Sequence, residues 1–169
     1  TNNTANIAGT INAAKSVFNF GDDSTVVTSS QEFAELLNND GYAVEEVNGL
    51  YVVAGYAVAA INGKGYATLE KAYAAANAGE TIVLVDNITL ASKLMLEKAI
   101  TLDLNGYTVT TSAQKAFEVY TNTTIKNGTI VALERAVDTR TNVELVLDTV
   151  TLKATSTANT QPLTIGGST

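Results

Sequence analysis

Three turn signals recur along the chain at nearly constant spacing. Asn105-Gly106 returns as Asn127-Gly128, 22 residues on, and Asp148-Thr149 follows 21 residues after that. Between them lie short β-branched and aliphatic runs: TIVLVDNITL, AITLDLNGYTVT, NTTIKNGTIVAL and NVELVLDTVTL. Short apolar runs bounded by turn formers read as strands. Several short strands in each repeat of about twenty residues read as a solenoid, each coil stacked on the one before. Residues from about 80 to 165 are therefore expected to form about 3–4 stacked coils, with neighbouring strands about 4.8 Å apart.

Strand periodicity then fixes an inner wall. Ile100, Leu102 and Leu104 share one face. A strict 22-residue repeat would set Lys126 beneath Leu104. A slip of one residue reverses every side chain, so Ile125 is expected under Leu104, with the intervening turn one residue different in length. Val143, Leu145 and Leu147 continue the wall, while Thr101, Asp103 and Glu144 face outward.

The runs INGKGYATLEKAYAAANAGETIVLVDNITL, AITLDLNGYTVT and NTTIKNGTI lie between Ala57 and Leu152. They resemble modules of secreted, gut-type Gram-positive bacterial cell-surface proteins. The resemblance implies a pectin-lyase-like right-handed β-helix and an extracellular, cell-surface setting. It implies no particular activity.

Residue usage narrows the function classes. A net charge of −7 with no histidine lacks the clustered Lys and Arg of nucleic-acid binding. No apolar run approaches the roughly 20 residues of a membrane-spanning helix. Cysteine is absent, which removes disulfides and thiolate metal sites. No cofactor or metal is expected, and no signal peptide is present; Thr1 reads as the start of a processed chain.

The fold expected overall is mainly β, a short right-handed parallel β-helix with a small N-terminal α/β cap. Residues 1–20 read as a strand-like extension open to exchange between subunits. Residues 21–55 read as the cap, a strand, helix and hairpin. Ser29 with Glu32 looks like a capping box opening the helix QEFAELLNN. The runs on either side of Asn48-Gly49 make a two-residue hairpin. Residues 56–169 hold the helix-capped solenoid: Tyr56–Ile61 a further strand, LEKAYAAANA a helix with Thr68 as N-cap and Gly79 at C′. That helix is expected outside the first coil or across its end, because Thr81–Val85 is apolar on both faces.

Three constellations bear on chemistry. Asp103, Glu118, Asp138, Glu144 and Asp148 fall on coils and are expected to be solvated, outward-facing groups. Arg135 and Arg140, the only arginines, are expected in surface ion pairing around Asp138. Tyr42, Tyr51, Tyr56 and Tyr66 supply either a glycan-stacking platform or a half-buried aromatic layer joining cap to solenoid. Asn105 and Asn127 suit an asparagine stack at a coil corner.

The leading functional expectation is a non-catalytic extracellular structural protein, a cell-surface or pilus-like filament subunit. Thr1-Asn2 and Thr4 match Thr121-Asn122 and Thr124, and Gly9–Ala13 parallels Gly128–Ala132. The lead thus resembles a coil, and head-to-tail strand addition would use Ile7, Ile11, Val17, Phe18 and Phe20 against Leu163 and Ile165. The partner is then another copy of the chain. The alternative is a glycan-binding adhesin module recognising host or plant glycan through the four tyrosines. A polysaccharide lyase-like enzyme is a distant third.

Overall fold

The computed structural model describes residues 3–7, 24–158 and 160–166. Four coils stack in parallel into a three-sided β-solenoid of about four turns. The first coil is β7 (Thr81–Leu84), β8 (Ile88–Leu90) and β9 (Leu94–Leu96). The second is β10 (Thr101–Asp103), β11 (Thr108–Thr111) and β12 (Lys115–Val119). In the third, β13 (Thr123–Ala132) runs through the corner that separates β10 from β11, and β14 (Arg135–Thr139) completes the turn. The fourth repeats this with β15 (Leu145–Ala154) and β16 (Leu163–Thr164).

Aliphatic columns run down the interior. Ile82, Leu102 and Ile125 stack in register on one side, and Ile88, Val109 and Ile130 on the next. Ile125 therefore lies under Leu102, not under Leu104. The second coil carries four residues between Asp103 and Thr108 where the third carries two between Lys126 and Thr129. The corner differs by two residues, so the pleat stays in phase. Those extra residues seat Leu104, itself fully buried, over Gly128. A Cβ on Gly128 would meet the Leu104 Cβ at 2.5 Å and the Tyr107 carbonyl oxygen at 2.6 Å. The corner residues Asn105, Asn127 and Thr149 all have positive φ, 49°, 60° and 56°. Asn105 and Asn127 are exposed on the outside of the corner and form no internal stack. Their amides instead bond the Leu84 carbonyl and the Asp103 carboxylate.

The first coil is covered. A hairpin of β5 (Ala59–Ile61) and β6 (Lys64–Tyr66) pairs antiparallel with β7 and takes its free edge. Helix α2 (Leu69–Ala75) packs Leu69 and Ala72 into the same core as Ile82 and Leu84. It lies across the end of the interior, so the outer side of β7 stays open: Val83 is half-buried and Val85 exposed. Thr68 caps α2 as expected, accepting from the Lys71 N–H at 3.1 Å. The helix stops earlier than its sequence suggests, with Ala76 extended at the C-cap. Lys98 Nζ, from the next turn of the solenoid, takes the carbonyls of Tyr73, Ala74 and Ala76 at 2.8–3.0 Å. A cation on orphan C-terminal carbonyls ends a helix favourably. Gly79 accordingly lies beyond the cap and bonds the Ala99 carbonyl.

The N-terminal cap has its own small core. Its sheet runs β1 (Asn3–Ile7), β2 (Ser24–Thr28), β4 (Leu50–Tyr56), β3 (Tyr42–Val47), with β1 parallel to β2 and the rest antiparallel. Helix α1 (Gln31–Asn39) lays Phe33 and Leu37 against Val26 and Val44. Its N-cap is Ser30, which accepts from the Phe33 N–H, rather than Ser29 in a capping box. The cap seats on β6 and α2 through Gly65 N–H to Asn38 Oδ1 at 3.3 Å and a Lys71–Glu45 ion pair at 2.5 Å.

Candidate functional site

The densest chemistry sits on the third side of the solenoid. Glu118 on β12 stands in register with Asp138 on β14 and Met95 on β9. Its carboxylate is 1% exposed and accepts from Lys93 Nζ at 2.5 Å, Lys115 Nζ at 3.1 Å and the Arg140 guanidinium. Lys115 also bonds Asp138. Arg140 lies over the Tyr120 ring, 4.9 Å from its centroid, and donates to the phenol oxygen at 3.0 Å. The groups come from three successive coils, so they tie those coils together.

The expected solvated carboxylates are thus of two kinds. Glu118 and Asp138 are buried, contrary to expectation, because three cationic stems fold over them. Glu144 and Asp148 are exposed. Asp103 is half-buried, paired with Lys126 at 3.3 Å. Arg140 pairs with Glu118, and Asp138 takes Lys115. Arg135 keeps a buried Nε without a bond among the described residues. The signal for this cluster was a 20-residue offset between Glu118 and Asp138, one coil length, with Lys115 three residues before Glu118 on the same strand.

Electrostatics decide what the cluster does. Burial alone would raise the Glu118 pKa, but hydrogen bonds from Lys93 and Lys115 and the charges of Lys115 and Arg140 outweigh it and hold it at about 2. The Asp138 hydrogen bond, first among its causes, raises the Lys115 pKa. Glu118 is an anion and Lys115 a cation at neutral pH. Neither suits proton transfer near neutrality, which needs a pKa close to the working pH. Among the described residues no group of three or more acidic side chains is placed to hold a metal ion.

The four tyrosines do not form one platform. Tyr42 is buried and stacks on Tyr56 at 4.8 Å between centroids, leaving Tyr56 67% exposed. Tyr51 packs on the cap core at the other end of β4. Tyr66 packs on the solenoid core, with Lys64 Nζ 5.6 Å from its ring centroid. Burial first, then Glu80, raises its pKa. Tyr51 and Tyr66 are half-buried, the first against the cap core and the second against the solenoid core.

The last coil differs from the others. β15 pairs with β13 on one side and offers its other edge unpaired among the described residues. Leu145, Leu147, Val150 and Leu152 are half-buried, although Ile125 and Ile130, the counterparts of Leu147 and Leu152, are fully buried. The expectation that Leu145 and Leu147 are sealed from water is thus corrected: they are covered from one side. Leu163 and Ile165 are 37% and 69% exposed. Ile7 ends β1, paired with Thr28 of its own cap, while Ile11, Val17, Phe18 and Phe20 lie outside the described residues.

A shallow groove of about 330 Å³ runs beside this coil, lined by Ile100, Thr101, Asn122, Thr124, Glu144 and Val146. No helix among the described residues is long and apolar enough to cross a membrane. Compared with family models, curated proteins and solved structures, the chain finds no match in any of the three.

Proposed function

We propose that the chain is a non-catalytic structural subunit of a bacterial surface, a pectin-lyase-like β-helix that assembles head to tail by strand addition. The carrying observation is the contrast between its two ends. β5 and α2 occupy the first coil's edge and interior, whereas β15 presents a ten-residue edge unpaired among the described residues, beside half-covered Leu145, Leu147 and Leu152. An exposed strand edge is a template for another strand. Solenoid growth asks for a parallel strand, and β1 makes an in-register parallel pair over five residues in its own sheet. The contact between unlike ends is heterologous and need not close, so it builds filaments. Saturated ion pairing at Glu118 and Asp138 supports the non-catalytic reading.

Deleting residues 1–15 tests it. Full-length protein should form a concentration-dependent ladder in sedimentation, and the truncated chain should lose the ladder and regain it when the missing peptide is added. The same oligomeric state for both chains at every concentration contradicts the reading.

A second reading rests on Tyr56, whose exposed ring is held flat by Tyr42. An adhesin module would stack a sugar there, and Tyr56→Ala would then abolish retention on a glycan array. Unchanged retention removes it.

A further inference from the structure

The fold places the asparagines of four Asn-Gly pairs in left-handed backbone but in different surroundings. Asn48, Asn62, Asn105 and Asn127 have φ of 54°, 49°, 49° and 60°. Gly49, Gly63 and Gly106 follow with positive φ of 78°, 85° and 87°, so the backbone is common to those three pairs, and side-chain anchoring separates them. Asn62 Nδ2 donates to Glu80 at 3.1 Å, Asn105 Nδ2 to the Leu84 carbonyl at 3.1 Å, and Asn127 Nδ2 to Asp103 at 3.0 Å. The Asn48 amide has no bond among the described residues. The following glycines differ too. The Gly106 N–H is engaged with the Asn127 carbonyl at 2.6 Å, and Gly128 is wedged against Leu104. Gly49 is exposed with open space around it. Its turn joins β3 to β4, where Val47 and Leu50 are 48% and 42% exposed, so no core packing holds the tip shut.

We infer that Asn48 is a self-modification site, an asparagine that converts to aspartate and isoaspartate with water as the only co-reactant. The Gly49 nitrogen, losing its proton to solvent base, attacks Asn48 Cγ. The Cγ–Nδ2 bond breaks and ammonia leaves, closing a five-membered imide. Water then opens either carbonyl of the ring, giving aspartate or its β-linked isomer. No oxidant or reductant is consumed. Opening the hairpin tip supplies the geometry that the folded turn lacks, and local opening is cheapest where burial and hydrogen bonds are fewest. The product adds a negative charge beside Glu45 and Glu46, in a cap whose residues 24–56 hold five acidic groups (Glu32, Glu35, Asp40, Glu45, Glu46) and no basic one.

Peptide mapping of the full chain, incubated folded at mildly alkaline pH, tests the assignment. One hydrogen bond to break corresponds to about tenfold in rate, so the Asn48 peptide should convert about tenfold faster than those of Asn105 and Asn127. Asn62 should fall between. In denaturant the four should converge, since all precede glycine. Asn48→Gly, which keeps a residue at ease with positive φ, should remove the fast phase. Conversion at Asn48 no faster than at Asn105 in the folded chain overturns the assignment. So does a ranking that persists unchanged in denaturant. Neither result depends on the oligomeric state.

Discussion

Glu118 shows how little a residue's type says about its surroundings in a solenoid. A glutamate on the outer side of a strand is ordinarily solvated, yet here three cations from three coils close over it. Removing the partner of buried charge costs about 3–5 kcal/mol, and the half-exposed Lys93 and Arg140 screen part of that. Glu118→Gln should therefore lower stability by about 2–3 kcal/mol in denaturant titration. The pH dependence has a definite sign. With the folded pKa near 2 and an unfolded value of about 4.3, the contribution is full above the unfolded value and lost as pH falls through the folded one. Wild type should lose its margin over the glutamine variant between about pH 4.3 and 2. A constant gap across that window contradicts the ion-pair account. Gly128 makes a second residue-scale case. Gly128→Ala must displace Leu104 or the Tyr107 carbonyl, and overpacking with backbone shifts costs about 1–3 kcal/mol. A thermal scan matching wild type would contradict the seating of Leu104 over Gly128.

Element by element, the strands were legible because turn chemistry and alternation agree. The hairpin at Asn48-Gly49 and helix α1 fall where propensity and period put them. What the sequence hid was tertiary. Asp103–Thr108 and Lys126–Thr129 look like the same corner, and only the coil packing reveals two extra residues that keep Leu102 over Ile125. α2 ends early because Lys98, 22 residues beyond Ala76, supplies its cap; no local signal announces that. Lys98→Ala should cost about 1 kcal/mol and fray the last turn of α2, read as faster amide exchange confined to that turn. The charged cluster was hidden for the same reason: its five members are spread from Lys93 to Arg140 and meet only once coil lengths are known. The four tyrosines were grouped by sequence proximity, but the fold sends Tyr42 and Tyr51 to the cap core and Tyr66 to the solenoid core, and leaves Tyr56 exposed.

At the scale of the molecule, stability is graded along the axis. Leu102→Ala, in a fully buried column, should cost about 2–5 kcal/mol. Leu147→Ala, half-covered on the last coil, should cost about 1 kcal/mol in dilute solution. The difference should shrink when the chain is concentrated if the proposed strand addition covers Leu147. The backbone of β15 reports most directly on that burial. Hydrogen exchange across residues 145–154, followed from dilute to concentrated protein, reads whether its free edge gains partners. Strand addition predicts new protection in alternate β15 amides, with those of β13 unchanged. Exchange at β15 that is independent of concentration, in a sample that nonetheless forms oligomers, would contradict growth through this edge.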